Sequence, residues 1–128
     1  MDITPLIPQN TPLIQRYGQG FFHILGQNYN NQILFVDQST VHPLSEFPTD
    51  LKQWDTQEHW LHILKLCEGL DILLMGCGAT SFLIPSIARK MFTDQQINID
   101  PMDSGAACRT FNILRTEGRR AGCVLIPV

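Results

Sequence analysis

Apolar residues recur at helical spacing in some stretches of this chain and form short unbroken runs in others. That rhythm sets the expected architecture. In DTQEHWLHILKLCEGL, residues 55–70, Trp60, Ile63, Leu64 and Cys67 fall at i, i+3, i+4 and i+7 and make one stripe of a helix. Asp55 and Glu58 have capping-box spacing, and Gly69 supplies the stop. His59 and His62 flank the stripe and read as solvated helix histidines. LDILLMG, 70–76, is apolar throughout, as in a strand covered on both faces of a parallel sheet. Pro85 then stands where a helix can begin at no cost in hydrogen bonding, with Ile87, Met91 and Phe92 as its expected buried face. INID is the next strand. SGAACRTFNILRTEG is the third helix, with Asp103 or Ser104 as N-cap and Gly118 or Gly122 near its end. GCVLIPV closes the chain as a strand.

The amino-terminal part has a different texture. Pro5, Pro8 and Pro12 block helix over residues 1–18, which read as an extended arm whose apolar positions pack along the body. Between Phe21 and Val36 two β-rich runs flank Gly26 and an Asn-Asn pair, predicting a hairpin or meander. A short strand over Thr40–Leu44 is confined to an edge or a strand end by Pro43. The expected fold is α/β: a single domain over residues 1–128, with the arm and β-hairpin first and β-α-β-α-β after.

Composition narrows the function classes. The chain is 44% apolar and 16% charged, as a folded domain should be. A net charge of −3 argues against nucleic acid, which needs a basic face. No apolar run reaches the ~20 residues of a membrane-spanning helix. The opening MDITPLIPQN has no basic n-region, so a cytoplasmic location is expected. Cys67, Cys77, Cys108 and Cys123 then read as thiols, and without a C-x-x-C pair they predict no metal site.

Candidate chemistry concentrates at two loops. Ligands of a parallel sheet collect beyond the carboxyl ends of its strands, and two such ends are GCGATS, 76–81, and PMDSGAAC, 101–108. If their strands are neighbours, Gly76, Cys77, Gly78, Ser81, Asp103, Ser104, Cys108, Arg109 and Asn112 gather at one rim, where an anion or nucleotide fragment would meet helix starts. A dinucleotide fingerprint is incomplete, because Ser81 stands for the third glycine and the helix begins late, so no cofactor is expected. Cys108 lies about one turn into its helix beside Arg109, which suggests a thiol nucleophile; packing as a small apolar residue is the plainer reading. A redox pair of Cys77 and Cys108 requires that the two face each other. Arg115, Arg119 and Arg120 suit a helix carboxyl end, whereas Arg109 sits too early for that and is the foremost functional cation. No catalytic triad, carboxylate pair or other complete catalytic set is present in the pattern.

TPLIPQN with LIQRYG, DILLMGCG, MDSGAACRTFNILRTEGRR and AGCVLIP together resemble the Mth938-like family of small α/β domains, whose mitochondrial members are respiratory complex I assembly factors. The most specific piece runs from Ala107 to Asn112, joined to Glu117, Gly118 and Arg119. The resemblance implies a three-layer fold with a central mixed sheet and a final strand antiparallel to its neighbours. It implies an assembly or scaffolding role tied to NADH dehydrogenase for some relatives; an interaction protein of that kind calls for a protein partner and allows a homodimer. It supplies no catalytic residues. The leading expectation is therefore a non-enzymatic interaction protein, and its rival is a small-molecule site or thiol enzyme at the rim of 76–81 and 103–109.

Overall fold

The computed structural model describes residues 12–36 and 39–128. Most of the expected arm, residues 1–11, lies outside the described residues. Its end does not form an arm: Ile14–Gly18 is strand β1 and pairs antiparallel with β2 (Phe21–Ile24), which pairs with β3 (Gln27–Tyr29). These three make a small sheet in the order β1-β2-β3. The β2–β3 turn falls on Leu25 and Gly26, with φ of 51° and 83°. Two consecutive left-handed residues match the twist of a tight hairpin. The Asn-Asn pair serves instead as the connection to the next strand.

One extra residue in β1 decides what the small sheet presents. Ile14 pairs with Ile24, but Arg16, not Gln15, pairs with His23, so a bulge lies at Gln15. Because strand side chains alternate between faces, this single insertion exchanges the faces of every later residue in β1. Arg16 is turned to the outer face and Tyr17 to the inner one.

The central sheet has the order β5-β4-β8-β6-β7. It comprises β4 (Ile33–Val36), β5 (Thr40–Pro43), β6 (Ile72–Gly76), β7 (Asn98–Met102) and β8 (Ala121–Leu125). β5 is an edge, as Pro43 required. β6 pairs parallel with both β7 and β8, and β4 is antiparallel to β8 and β5. The sheet is mixed, but the expected final strand is corrected: β8 runs parallel to β6 and antiparallel only to β4. A helix joins β7 to β8, and such a crossover returns the chain in the same direction. At the other edge, β7 carries Pro101, and Arg89 donates to the Ile99 carbonyl at 3.2 Å, so part of its free edge is already occupied.

Each face of this sheet buries its own core. On one side Leu73, Met75 and Ile99 pack with Trp60 and Ile63 of the first helical segment and with Ala88 and Phe92 of α2 (Ser86–Asp94). On the other, Ile72, Leu74, Cys123 and Leu125 pack with α3 (Ser104–Thr116) and with Phe22 and Ile24 of the small sheet. The rings of Phe35 and Phe111 meet there at 5.1 Å. The run from Ile72 to Gly76 is thus buried on both faces, as its unbroken apolarity predicted.

Two helix details depart from expectation. The first helical segment opens as a π turn, Thr56–Trp60, before α1 proper, Leu61–Leu66. Asp55 accepts from the amides of Gln57 and Glu58, both at 2.9 Å, but the reciprocal acceptor for the Asp55 amide is His59 Nδ1 at 2.7 Å, not Glu58. The wider turn adds one residue, so position 59 takes the place that a capping box gives to position 58. His59 also packs its ring 4.9 Å from Phe47, so it is no merely solvated residue. In α2, Ala88 and Phe92 are buried while Ile87 is 64% exposed. Ile84, in the loop before the helix, fills the core position expected of Ile87.

Candidate functional site

β6 and β7 run side by side in the same direction, so the loops that follow them share one end of the sheet. They do not leave a mouth between them. The Cys77 amide donates to the Met102 carbonyl at 2.8 Å, and the Ser104 amide to the Gly78 carbonyl at 2.8 Å. Ser104 is buried and completes the closure: its hydroxyl donates to the Ile126 carbonyl at 2.6 Å and accepts from the Gly78 amide at 2.9 Å. The Ile126 amide in turn donates to the Gly76 carbonyl at 3.0 Å. The segment after β8 is therefore laced into the gap that a ligand would enter.

The nine expected rim residues separate accordingly. Gly76 is a packing glycine: a Cβ there would stand 2.8 Å from the Val124 carbonyl oxygen and 3.1 Å from the Ala107 Cβ. Neither neighbour can swing away, so Gly76→Ala is expected to lower stability by about 1–3 kcal/mol in urea denaturation. Gly78 is buried with φ +94°, a conformation that favours glycine. Asp103 is the N-cap of α3 and accepts from the Ala106 amide at 2.8 Å, while Ser104 is the hinge of the closure described above. Asn112 does not face a rim. Its Oδ1 accepts from the Leu13 and Ile14 amides, each at 3.1 Å, and its Nδ2 donates to the Ile14 carbonyl at 3.0 Å. The side chain ties β1 to α3 as another strand would. Ser81 is exposed on the loop before α2.

The thiols are placed apart. Cys108 is 1% exposed and packs in the core beneath the small sheet, whereas Cys77 borders the core on the opposite face. The central sheet lies between them, and the two do not face each other. Burial pushes the Cys108 thiol up to about 12, against the smaller opposing pull of Arg109. Burial also raises Cys77, whose Sγ donates to the Met75 carbonyl at 3.1 Å. The thiolate is the nucleophile, so native Cys108 is expected to alkylate at pH 7.5 at least roughly tenfold more slowly than a free thiol. Mass spectrometry of peptides after timed iodoacetamide treatment reads this directly.

An open depression of about 440 Å³ remains beside the closed strand ends. Gly78, Asp103 and Arg109 line it, joined by Tyr17, Gly18 and Gly105, which sequence reasoning had not selected. Arg109 donates to the Tyr17 hydroxyl at 2.6 Å. Gly105 leaves space for that ring: a Cβ there would lie 3.1 Å from Tyr17 Cε2. The β1 bulge could have signalled Tyr17 only if its register had been known. Of the other cations, Arg115 is buried, and Arg120 pairs with Asp71 at 3.0 Å, holding that carboxyl below its ordinary range.

A mixed sheet covered by two helical segments on one face and by α3 and a small antiparallel sheet on the other defines a three-layer domain of the Mth938-like type. A solved domain of that type from Bordetella pertussis shares the fold, at 20% identity and a TM-score of 0.70 over 99% of this chain and 92% of its own. The chain belongs to the family described as protein of unknown function (DUF498/DUF598), which matches residues 14–126. An uncharacterised protein of Rhodobacter capsulatus is 29% identical over 115 residues, 90% of this chain and 84% of that one. NADH dehydrogenase (ubiquinone) 1 alpha subcomplex assembly factor 3 of Drosophila melanogaster is 29% identical over 112 residues, 80% of this chain. This chain spans 54% of the Drosophila factor, about half its length. A crystal structure of an outer membrane protein from Bartonella henselae is 27% identical with a TM-score of 0.77, covering 91% of this chain and 95% of that one. Among the described residues no helix is long and apolar enough to cross a membrane.

Proposed function

We propose that this chain is a non-enzymatic interaction protein that assists biogenesis of the respiratory NADH dehydrogenase. The observation that carries the reading is the similarity to the Drosophila assembly factor over 80% of the chain. The geometry supports it from the other side. The strand ends are closed by the chain itself, and Cys108 is a buried, protonated thiol. A partner protein has apolar surface to cover: Leu83 and Ile87, four residues apart, are 86% and 64% exposed, with Phe82 and Met91 half-buried beside them. The chain acts in the cytoplasm in this reading, as a monomer or homodimer that docks on its client. Affinity purification of the tagged chain from gently solubilised cells is expected to recover NADH dehydrogenase subunits. Replacing Leu83 and Ile87 together by Asp is expected to lose them, and an empty pull-down with the unaltered chain would overturn the reading.

A second reading rests on the depression at Arg109. Its lining of Gly78, Asp103 and Arg109 keeps part of the expected anion site, with Tyr17 holding the guanidinium in place. A small acidic ligand bound there at a hundred times its dissociation constant would raise stability by about 2.7 kcal/mol. A thermal-shift screen of acidic metabolites tests this, with Arg109→Gln expected to remove any rise.

A further inference from the structure

The outer face of the small sheet carries a second polar constellation that the assembly reading does not use. Arg16 pairs with His23, and His23 pairs with Asn28, so the three side chains form one row across β1, β2 and β3. Directly opposite residues on one face hold their Cβ atoms about 4.5–5.5 Å apart. Arg16 belongs to this row only because of the bulge at Gln15; in regular register it would oppose Phe22 and face the core. The sheet therefore departs from regular pairing at the one point that sets a cation beside a histidine.

The rest of the surroundings fits the same purpose. His23 Nδ1 lies 2.6 Å from Asn28 Oδ1. That oxygen can only accept, so Nδ1 donates, the ring is held, and Nε2 is left for something outside. Arg16, Gln19, Gly20, Phe21, His23, Asn28 and Asn30 line a cavity of about 440 Å³, within the range of small-ligand sites. No acidic side chain is among them. The sequence from Pro12 to Val36 contains no Asp or Glu at all, in a chain whose net charge is −3. Among the described residues Arg16 makes no ion pair. The Phe21 ring covers Gly18, where a Cβ would stand 2.5 Å from it, and gives the depression an apolar wall beside its polar row.

We propose that this cavity binds the phosphate group of a small phosphate monoester. The Arg16 fork donates to the phosphate oxygens, His23 Nε2 donates to another oxygen when the ring carries both protons and accepts from the phosphate hydroxyl when it does not, and Gln19 and Asn30 meet the group esterified to it. The guanidinium suits a tetrahedral anion because its donors are fixed in one plane. The row lies on the opposite face of the small sheet from Tyr17, and the two depressions meet at Gln19, which lines both.

Heteronuclear NMR of the whole chain tests the proposal, with inorganic phosphate and glycerol phosphate as probes and sodium chloride at matched ionic strength as control. Saturable shifts are expected at the His23 ring, the Arg16 Nε–H and the Asn28 side-chain amide, and chloride should not reproduce them. Arg16→Gln should weaken binding at least about tenfold, the scale of one charge-assisted hydrogen bond. Asn28→Asp still accepts from His23 but adds a negative charge, and should weaken it at least as much. Both positions are exposed, and an unchanged Tm confirms that each variant is folded. Sedimentation with phosphatidylcholine vesicles, with and without phosphatidic acid, separates the sources. Binding to the acidic vesicles that Arg16→Gln abolishes assigns a lipid headgroup, and its absence beside saturable glycerol phosphate binding assigns a soluble ester. Shifts that stay linear in concentration, or equal affinity in both variants and the unaltered chain, would overturn the proposal.

Discussion

Raising the pH from 9 towards 11 is expected to destabilise this protein steeply through its buried thiols. Burial lifts Cys67 and Cys108 from the ordinary 9.0 to about 12, and Cys123, wholly enclosed, is also raised. The unfolded chain releases these protons near pH 9 and the folded chain retains them, so above that pH the unfolded state binds fewer protons. The stabilisation is complete below pH 9 and is lost as pH rises through the folded values. Each such thiol removes about 1.4 kcal/mol per pH unit across that window. Two or three together consume much of the roughly 5–15 kcal/mol that a domain has. Urea titrations at pH 8, 9, 10 and 11 should show the fall. Cys108→Ala, a small substitution among core neighbours, should make the slope shallower by about one thiol's share. Identical slopes in the two proteins would mean that Cys108 ionises alike in the folded and unfolded chains and is not buried as described.

Asn112→Ala is the other substitution with a large expected cost. The side chain forms three hydrogen bonds to Leu13 and Ile14, residues 99 and 98 positions away in sequence. Alanine would leave two amides and a carbonyl without partners at a half-buried junction, a loss of about 2–3 kcal/mol. Asn112→Asp keeps the acceptor but sets a second carboxylate oxygen against the Ile14 carbonyl, so a loss of at least about 1 kcal/mol is expected. Hydrogen exchange should quicken at the amides of Leu13 and Ile14 well before those of β6. A loss of under about 0.5 kcal/mol, the range of an ordinary surface change, would mean that α3 and the small sheet are held together by packing alone.

The carboxyl-terminal half was legible because its signals are local. The apolar run before Gly76, Asp103 ahead of a helical stripe and the alternation of strand and helix each specify their own element. They leave open whether β6 and β7 are neighbours, and the parallel pairing of the two settles it. The site was less legible because it depends on contacts between distant segments. Helical spacing alone sets Ala107, Phe111 and Leu114 of α3 on one core stripe. The helix is in fact enclosed by the central sheet on one side and β1 on another, which widens its buried arc to take in Ser104, Cys108 and Arg115. β1 escaped notice because its bulge breaks the alternation by which a strand is read: Ile14 to Gly18 shows one buried residue followed by three exposed. The same irregularity delivers Tyr17 to Arg109 and Arg16 to His23. The direction of β8 was likewise set by a pairing with β6, about fifty residues away, and not by any residue in its own segment.

Native gel electrophoresis of membranes from cells lacking this chain tests the central claim most directly. The account predicts less fully assembled NADH dehydrogenase, restored by the unaltered chain and equally by one carrying Cys77→Ser and Cys108→Ala. A full complement of the assembled enzyme in the deleted cells would contradict it.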